Sequence, residues 1–99
     1  MIHPPQLLLI MHYVYVMRSM KDGTLYTGCT GDLRKRFLQH NAGKNVATRA
    51  KKPFRLLYYE AFVDKHDAFM REQYLKTGWG RRYISRVIAN ALAKVEADK

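Results

Sequence analysis

Four side chains in this sequence are of types that could act together on a phosphodiester bond: Tyr15, Tyr26, Arg36 and Glu72. Hydrolysis of such a bond needs an activated water, a cation to hold the charge developing on phosphate, and help for the leaving oxygen. A phenol can hold or take a proton, a guanidinium matches phosphate geometry, and a carboxylate suits a hard divalent metal. His40 follows Arg36 at i+4 and shares a neighbouring face of the same expected helix. Each residue also has a plainer reading. A strand tyrosine is more often packing, a helix arginine is usually solvated, and His40 reads equally as a surface residue bonded locally. Glu72 sits between Ala68 and Leu75, at i, i+4 and i+7, on a stripe that should partly face the body of the protein. A carboxylate there either pairs with an arginine or ligates a metal facing a cleft, and spacing alone favours the ion pair. No histidine pair has ligand spacing, and neither a Ser-His-Asp order nor a phosphate-binding P-loop occurs.

The elements that must position these groups can be read from periodicity. "HYVYVMRS" (12–19) is rich in β-branched and aromatic residues, and "KDGT" (21–24) is a turn signal before "LYTG" (25–28). Together they predict a hairpin whose two arms carry Tyr15 and Tyr26. Thr30 or Asp32 is the expected cap of a helix over 32–42, closed by Gly43 and carrying Arg36 and His40. Gly28 and Gly31 in the intervening turn would leave room for a phosphate between Tyr26 and Arg36. "FRLLYYEAF" (54–62) reads as a third strand. Asp64 caps a helix over 65–76 that stops at Gly78. Ile84, Val87, Ile88, Ala91, Leu92 and Val95 then form an apolar helical stripe. The order β-β-α-β-α-α describes an α+β domain, a small three-stranded and mainly antiparallel sheet packed against helices. The domain is expected to cover 12–95, between a flexible extension (1–11) and a short tail (96–99). "MIHPPQLLLIM" lacks the basic start and small-residue cleavage site of a signal peptide.

Charge narrows the partners. Eighteen Lys and Arg against eight Asp and Glu leave +10 on 99 residues, a self-repulsion that polyanions relieve. Nucleic acid is the first candidate, DNA before RNA; an anionic membrane surface is a weaker one, and simple solubility is the plain alternative. Distribution supports the first. Between Leu33 and Tyr59 no acidic residue occurs, while Arg34, Lys35, Arg36, Lys44, Arg49, Lys51, Lys52 and Arg55 are all basic. A face serving solubility would usually mix its signs. Arg81, Arg82 and Arg86 form a second group beside Trp79 and Tyr83, with Trp79 expected to pack against the sheet. The one cysteine, Cys29, excludes an internal disulfide and a cysteine-built zinc site, suits a reducing cytoplasmic setting, and reads as a small turn residue. No segment has the length of a transmembrane helix.

"YVY" (13–15), ten residues, "YTG" (26–28) and then "DLRKRFLQH" (32–40) resemble the GIY-YIG nuclease superfamily. The downstream "HNAGK", "TR", "KPF" and "DAFMREQYLKTGWGRRYI" are similar to its small single-domain bacterial branch, related to the N-terminal nuclease domain of the excision-repair incision subunit. The likeness spans roughly 12–88. It implies a metal-dependent endonuclease using one divalent ion, Mg²⁺ or Mn²⁺, held by Glu72. Tyr15 and Tyr26 would be the two motif tyrosines, one of them taking the proton from the attacking water. Arg36 would steady the phosphate, and His40 would fill the family's histidine or tyrosine position. A phenol is a poor base at its ordinary pKa near 10, so Arg36 and the metal would have to favour the phenolate. Tyr13 and Thr27 replace a glycine and an isoleucine of the motifs. Cys29 stands where some relatives carry a lysine, so Lys35 or Arg49 would supply that cation. With no DNA-reading domain beside the motifs, recognition of structured, nicked or branched DNA in repair is expected over sequence reading. A non-catalytic nucleic-acid-binding module, or an adaptor for an acidic protein, would keep the same fold.

Overall fold

A computed structural model describes residues 11–98. The expected extension falls, but for Met11, outside the described residues. Three strands form one sheet: β1 (His12–Ser19), β2 (Leu25–Thr30) and β3 (Phe54–Phe62). The order is β2-β1-β3 and both pairings are antiparallel. The fold is therefore α+β as expected. β1 is central because both its faces are apolar; Val14, Tyr15, Val16 and Met17 are all buried.

The two faces are covered differently. Helix α1 (Leu33–Asn41) lies over the face carrying Tyr15 and Met17, where Leu33, Phe37 and Phe54 join the cluster. Helices α2 (Lys65–Leu75), α3 (Gly78–Val87) and α4 (Ala89–Ala97) follow β3. They contribute Ala68, Leu75, Ile84 and Ile88, which bury Val14 and Val16 from the other side. Each Val, Leu or Ile side chain of this cluster contributes about 1.5–3 kcal/mol when fully buried. Strand alternation at β1 thus gives one face to the core and the other to the candidate chemistry.

Local signals explain most boundaries. The Asp32 side chain accepts from Lys35 N at the start of α1, and Asp64 accepts from His66 N and Asp67 N at the start of α2. Gly43 takes φ 77° just beyond α1, the left-handed conformation a glycine tolerates. Four expectations need correction. The 84–95 stripe is split at Ile88, whose φ −103° and ψ 7° separate α3 from α4, although Ile88 N still bonds Ile84 O at 3.0 Å. Gly78 does not stop a helix; α2 ends at Leu75, and Thr77 caps α3 by accepting from Gly80 N. A Cβ on Gly80 would overlap the Tyr74 and Leu75 backbone, so this close crossing of α2 and α3 requires glycine. Cys29 lies within β2 opposite Val14 rather than in a turn. Trp79 is 71% exposed and does not pack on the sheet, because it occupies the outer side of the first turn of α3. The Arg82 guanidinium sits 4.6 Å from its ring centroid instead.

Candidate active site

Strand register starts the site. β1–β2 pairing sets Tyr15 opposite Gly28 and Met17 opposite Tyr26, which places both tyrosines on the α1 face. Their ring centroids are 6.3 Å apart. A Cβ on Gly28 would overlap the Tyr15 phenol oxygen, so the glycine is what lets that ring lie across β2. The room expected there for a phosphate is filled by Tyr15; of the two glycines only Gly31 is open, where an added Cβ would meet nothing nearer than His12 Nδ1 at 3.9 Å.

The last turn of α1 then delivers His40 into the same cluster. Its ring lies 5.8 Å from that of Tyr15 and 5.3 Å from that of Tyr26. His40 is fully buried, not the surface residue of the plainer reading, and its Nε2 is 2.8 Å from the Tyr15 phenol oxygen. The other ring nitrogen, Nδ1, is 2.7 Å from Thr48 Oγ1, in the loop between α1 and β3. Tyr15 is 1% exposed and Thr48 2%. A buried polar chain Tyr15–His40–Thr48 therefore runs beneath the strand surface, with Arg36 one helical turn before His40.

Burial pushes the Tyr15 phenol well above its ordinary value of 10, and the neighbouring Tyr26 adds to the rise. The Arg36 guanidinium pulls the other way, and Glu72 raises it slightly. Arg36 thus acts in the direction the phenolate needs, but low dielectric outweighs it. Burial, then the positive field of Arg36, hold the His40 imidazole below 6.5. At neutral pH the cluster consists of a protonated phenol beside a neutral imidazole.

Glu72, on α2, is the carboxylate of the group. Its side chain is 14% exposed, and Oε2 is 3.2 Å from Lys76 Nζ. The partner is a lysine at i+4 rather than an arginine, a spacing visible in the sequence and overlooked there. The Glu72 charge also adds to burial in raising the Cys29 thiol. No group of three or more His, Cys, Asp or Glu side chains with metal-site spacing occurs among the described residues. A lone carboxylate nevertheless fits Mg²⁺ or Mn²⁺, hard ions held by one or two carboxylates, waters and substrate phosphate. It would not suit zinc, which takes three or four protein ligands.

The basic side chains surround the cluster unevenly. Lys35 and Arg36 line a hollow of about 340 Å³ with Thr30 and Gly31. Arg81 and Lys76 line another of about 580 Å³ that reaches Tyr26. Arg34 opens onto a third, of about 610 Å³, beside Tyr13 and Tyr59. Lys51 is 3.6 Å from Asp22, and Arg82 is committed to Trp79. Arg34, Lys35, Arg36, Lys44, Arg49, Lys52 and Arg81 form no ion pair among the described residues. Thr48 is the site residue that sequence reading missed. It looks like one more polar residue in a cationic loop, and only burial reveals it.

Comparison with known proteins adds lineage to this geometry. A family model described as the GIY-YIG catalytic domain matches residues 11–83. A UPF0213 protein of Bacillus pumilus is 46% identical over 72 residues, which cover 72% of this chain and 71% of that one. A UPF0213 protein of Streptococcus agalactiae is 48% identical over 65 residues, covering 65% and 73%. A solution NMR structure of a UPF0213 protein from Bacillus halodurans aligns at 35% identity, over 78% of this chain and 84% of that one, with a TM-score of 0.49.

Proposed function

The chain belongs to the GIY-YIG family, and from that membership we propose that it is a divalent-metal-dependent endonuclease cutting phosphodiester bonds in structured, nicked or branched DNA. The observation that carries this reading is the convergence of Tyr15, Tyr26, Arg36 and His40 from a hairpin and a helix, with Glu72 within electrostatic reach. Arg36 interacts with the Tyr15 phenol and has no carboxylate partner among the described residues, which leaves its guanidinium available to a phosphate.

In this mechanism Arg36 binds a non-bridging phosphate oxygen and opposes the charge that grows on it. Glu72 would hold the Mg²⁺ or Mn²⁺, which on binding supplies Lewis-acid stabilisation of the phosphate charge. Tyr15, once deprotonated, accepts the proton of the attacking water. Arg36 and the metal, once bound, would together have to lower a phenol that burial holds high. Tyr26 flanks the groove containing Arg81 and helps place the strand. The unpaired cations Lys35, Lys44, Arg49, Lys52 and Arg81 carry the backbone contacts, with Arg34, Lys51 and Arg82 at the periphery. Binding of this kind is salt-sensitive and largely indifferent to sequence. A cytoplasmic setting, near the chromosome and its repair, suits such a substrate.

One observation favours a non-catalytic nucleic-acid-binding module: Tyr15 is almost wholly buried and its phenol is held protonated. Labelled single-stranded, duplex, nicked and branched DNA, and matching RNA, with Mg²⁺ or Mn²⁺ separate the two readings. Endonuclease activity requires that Glu72→Ala and Tyr15→Phe stop cutting while retaining binding. Identical products from wild type and Glu72→Ala would leave the binding module as the correct reading.

A further inference from the structure

Between the start of α1 and the end of the sheet where β1 begins lies the hollow of about 610 Å³, which takes no part in the chemistry proposed above. It is lined by Tyr13, Leu33, Phe37, Leu56 and Tyr59, together with the exposed Arg34. Strand register explains why two tyrosines meet here. Tyr13 follows the alternation of β1 to the face of Tyr15, and Tyr59 of β3 stands directly opposite Tyr15. Tyr13 and Tyr59 are therefore diagonal neighbours, packed edge to face with ring centroids 5.9 Å apart and planes at 64°. β3 is an edge strand, and Tyr59 is 53% exposed. Neither hydroxyl has a hydrogen-bond partner among the described residues.

The lining selects the chemistry of an occupant. Five of the side chains are apolar or aromatic, so a phosphate there would give up its water and gain few donors. The charges are one cation, Arg34, and one carboxylate, Asp32, whose Oδ1 accepts from Lys35 N. A planar, uncharged ring suits the place better, because it can lie on the exposed Tyr59 and bury its apolar faces. Continuity decides which planar group this is. The hollow shares Gly31 and Asp32 with the one lined by Lys35 and Arg36. It shares Asp32 and Arg34 with another lined by Lys35 and Lys44. None of these four cations is ion-paired among the described residues. A nucleic-acid strand supplies both parts, phosphates for the cations and bases for the rings. Within a duplex the base faces are stacked on one another, so only an unpaired base can reach the tyrosines.

We propose that Tyr13 and Tyr59 form a stacking subsite for the base of an unpaired nucleotide, beside the phosphate contact of Arg36. The inference deepens the nucleic-acid reading above and rests on it, though not on cutting. It assigns to this face a strand with at least one base out of the helix, such as a flap or a junction, over intact duplex.

The test is binding without cutting. Fluorescence anisotropy follows labelled single-stranded DNA, the same sequence as blunt duplex, and a strand of abasic residues, all in EDTA at one salt concentration. Tyr59→Ala should weaken single-strand binding about tenfold, the scale of one base stacked on an aromatic ring, and leave duplex affinity unchanged. Tyr59→Phe should match wild type, because the ring and not the hydroxyl carries the contact. Wild type and Tyr59→Ala should bind the abasic strand equally. The proposal is overturned by an unchanged single-strand affinity in Tyr59→Ala, by equal weakening on all three ligands, or by a Tyr59→Phe as weak as Tyr59→Ala. If Tyr59→Ala is not native by circular dichroism, Tyr59→Leu, which keeps apolar bulk without a π face, replaces it under the same criteria. If wild type binds none of the three ligands, the nucleic-acid reading falls with the proposal. If it binds them with these preferences but cuts no substrate once metal is added, the nuclease reading falls and the stacking subsite stands.

Discussion

Two clusters in this molecule contain the same ingredients and finish them differently. On the helical side of the sheet, Glu60 accepts from Arg71 Nε at 2.8 Å and Arg71 Nη2 at 3.0 Å, and from the Tyr58 hydroxyl at 2.6 Å. Tyr74 and Tyr83 lie 5.2 Å and 5.1 Å from the same guanidinium. Both carboxylate oxygens and one arginine edge are used, so the cluster is saturated. In the candidate site, Arg36 has no ion pair among the described residues, and Glu72, reaching from α2, is engaged by one flexible lysine. Both clusters have a tyrosine whose phenol is pushed well up, by burial first in each case. The difference lies in the spare capacity. A filled network ties β3 to α2 and stabilises the fold, whereas a half-filled one has valence left for a ligand.

The sharpest way to break this comparison is to remove the spare groups. Tyr15→Phe and Arg36→Met should each lower cutting by about 10²–10⁴-fold, with melting temperature changed by only a few degrees. Equal losses of melting temperature in the Glu60 cluster and here would erase the distinction. Next in size, Gly28→Ala forces the Tyr15 phenol to move and should cost activity at least tenfold while circular dichroism stays native. Full activity in that variant would show that the phenol position is not critical.

Glu60→Gln tests the opposite cluster. It should cost about 2 kcal/mol, or about 10 °C in melting temperature, and leave cutting per folded molecule unchanged. The sign with pH follows. Burial raises the Glu60 carboxyl, but hydrogen bonds from Arg71 and Tyr58 win and hold it below its ordinary value. Its stabilisation is full above the ordinary glutamate pKa and is lost as pH falls through the depressed value, so wild type and Glu60→Gln should converge in melting temperature under acid. Smallest of all, Lys52→Ala should reduce the slope of log binding constant against log salt by about one, uniformly over sequences. An unchanged slope would take Lys52 off the DNA path.

Much of this was legible because short-range rules govern it. Alternation in 12–19 placed β1, Thr30 or Asp32 and then Asp64 announced the helices, and the two motif tyrosines fell on the arms of one hairpin, although only the strand register decides that they share a face. The motif match pointed to Arg36, His40 and Glu72 as members of one site. What stayed hidden depends on contacts between distant segments. Nothing local to His40 says that it will be fully buried against a tyrosine 25 residues earlier. Thr48 lies in the "TR" stretch of the motif match, but its burial against His40 arises only once the loop folds back on α1. The break at Ile88 was invisible because the apolar stripe continues unchanged across it, while the backbone there merely loosens. Trp79, expected to pack against the sheet, is exposed because it sits on the outer side of the first turn of α3.

The central placement of β1 has a consequence for when the protein can lose its chemistry. Tyr15 stands on the strand bonded on both sides, to β2 and to β3. Amides in such a strand exchange with solvent only through the largest openings, whereas exposed loops and turns exchange through small local ones. Heat or denaturant should thus leave the phenol in register until the whole sheet parts. Cutting activity, sheet signal and protection of the Tyr15 amide should disappear in one transition.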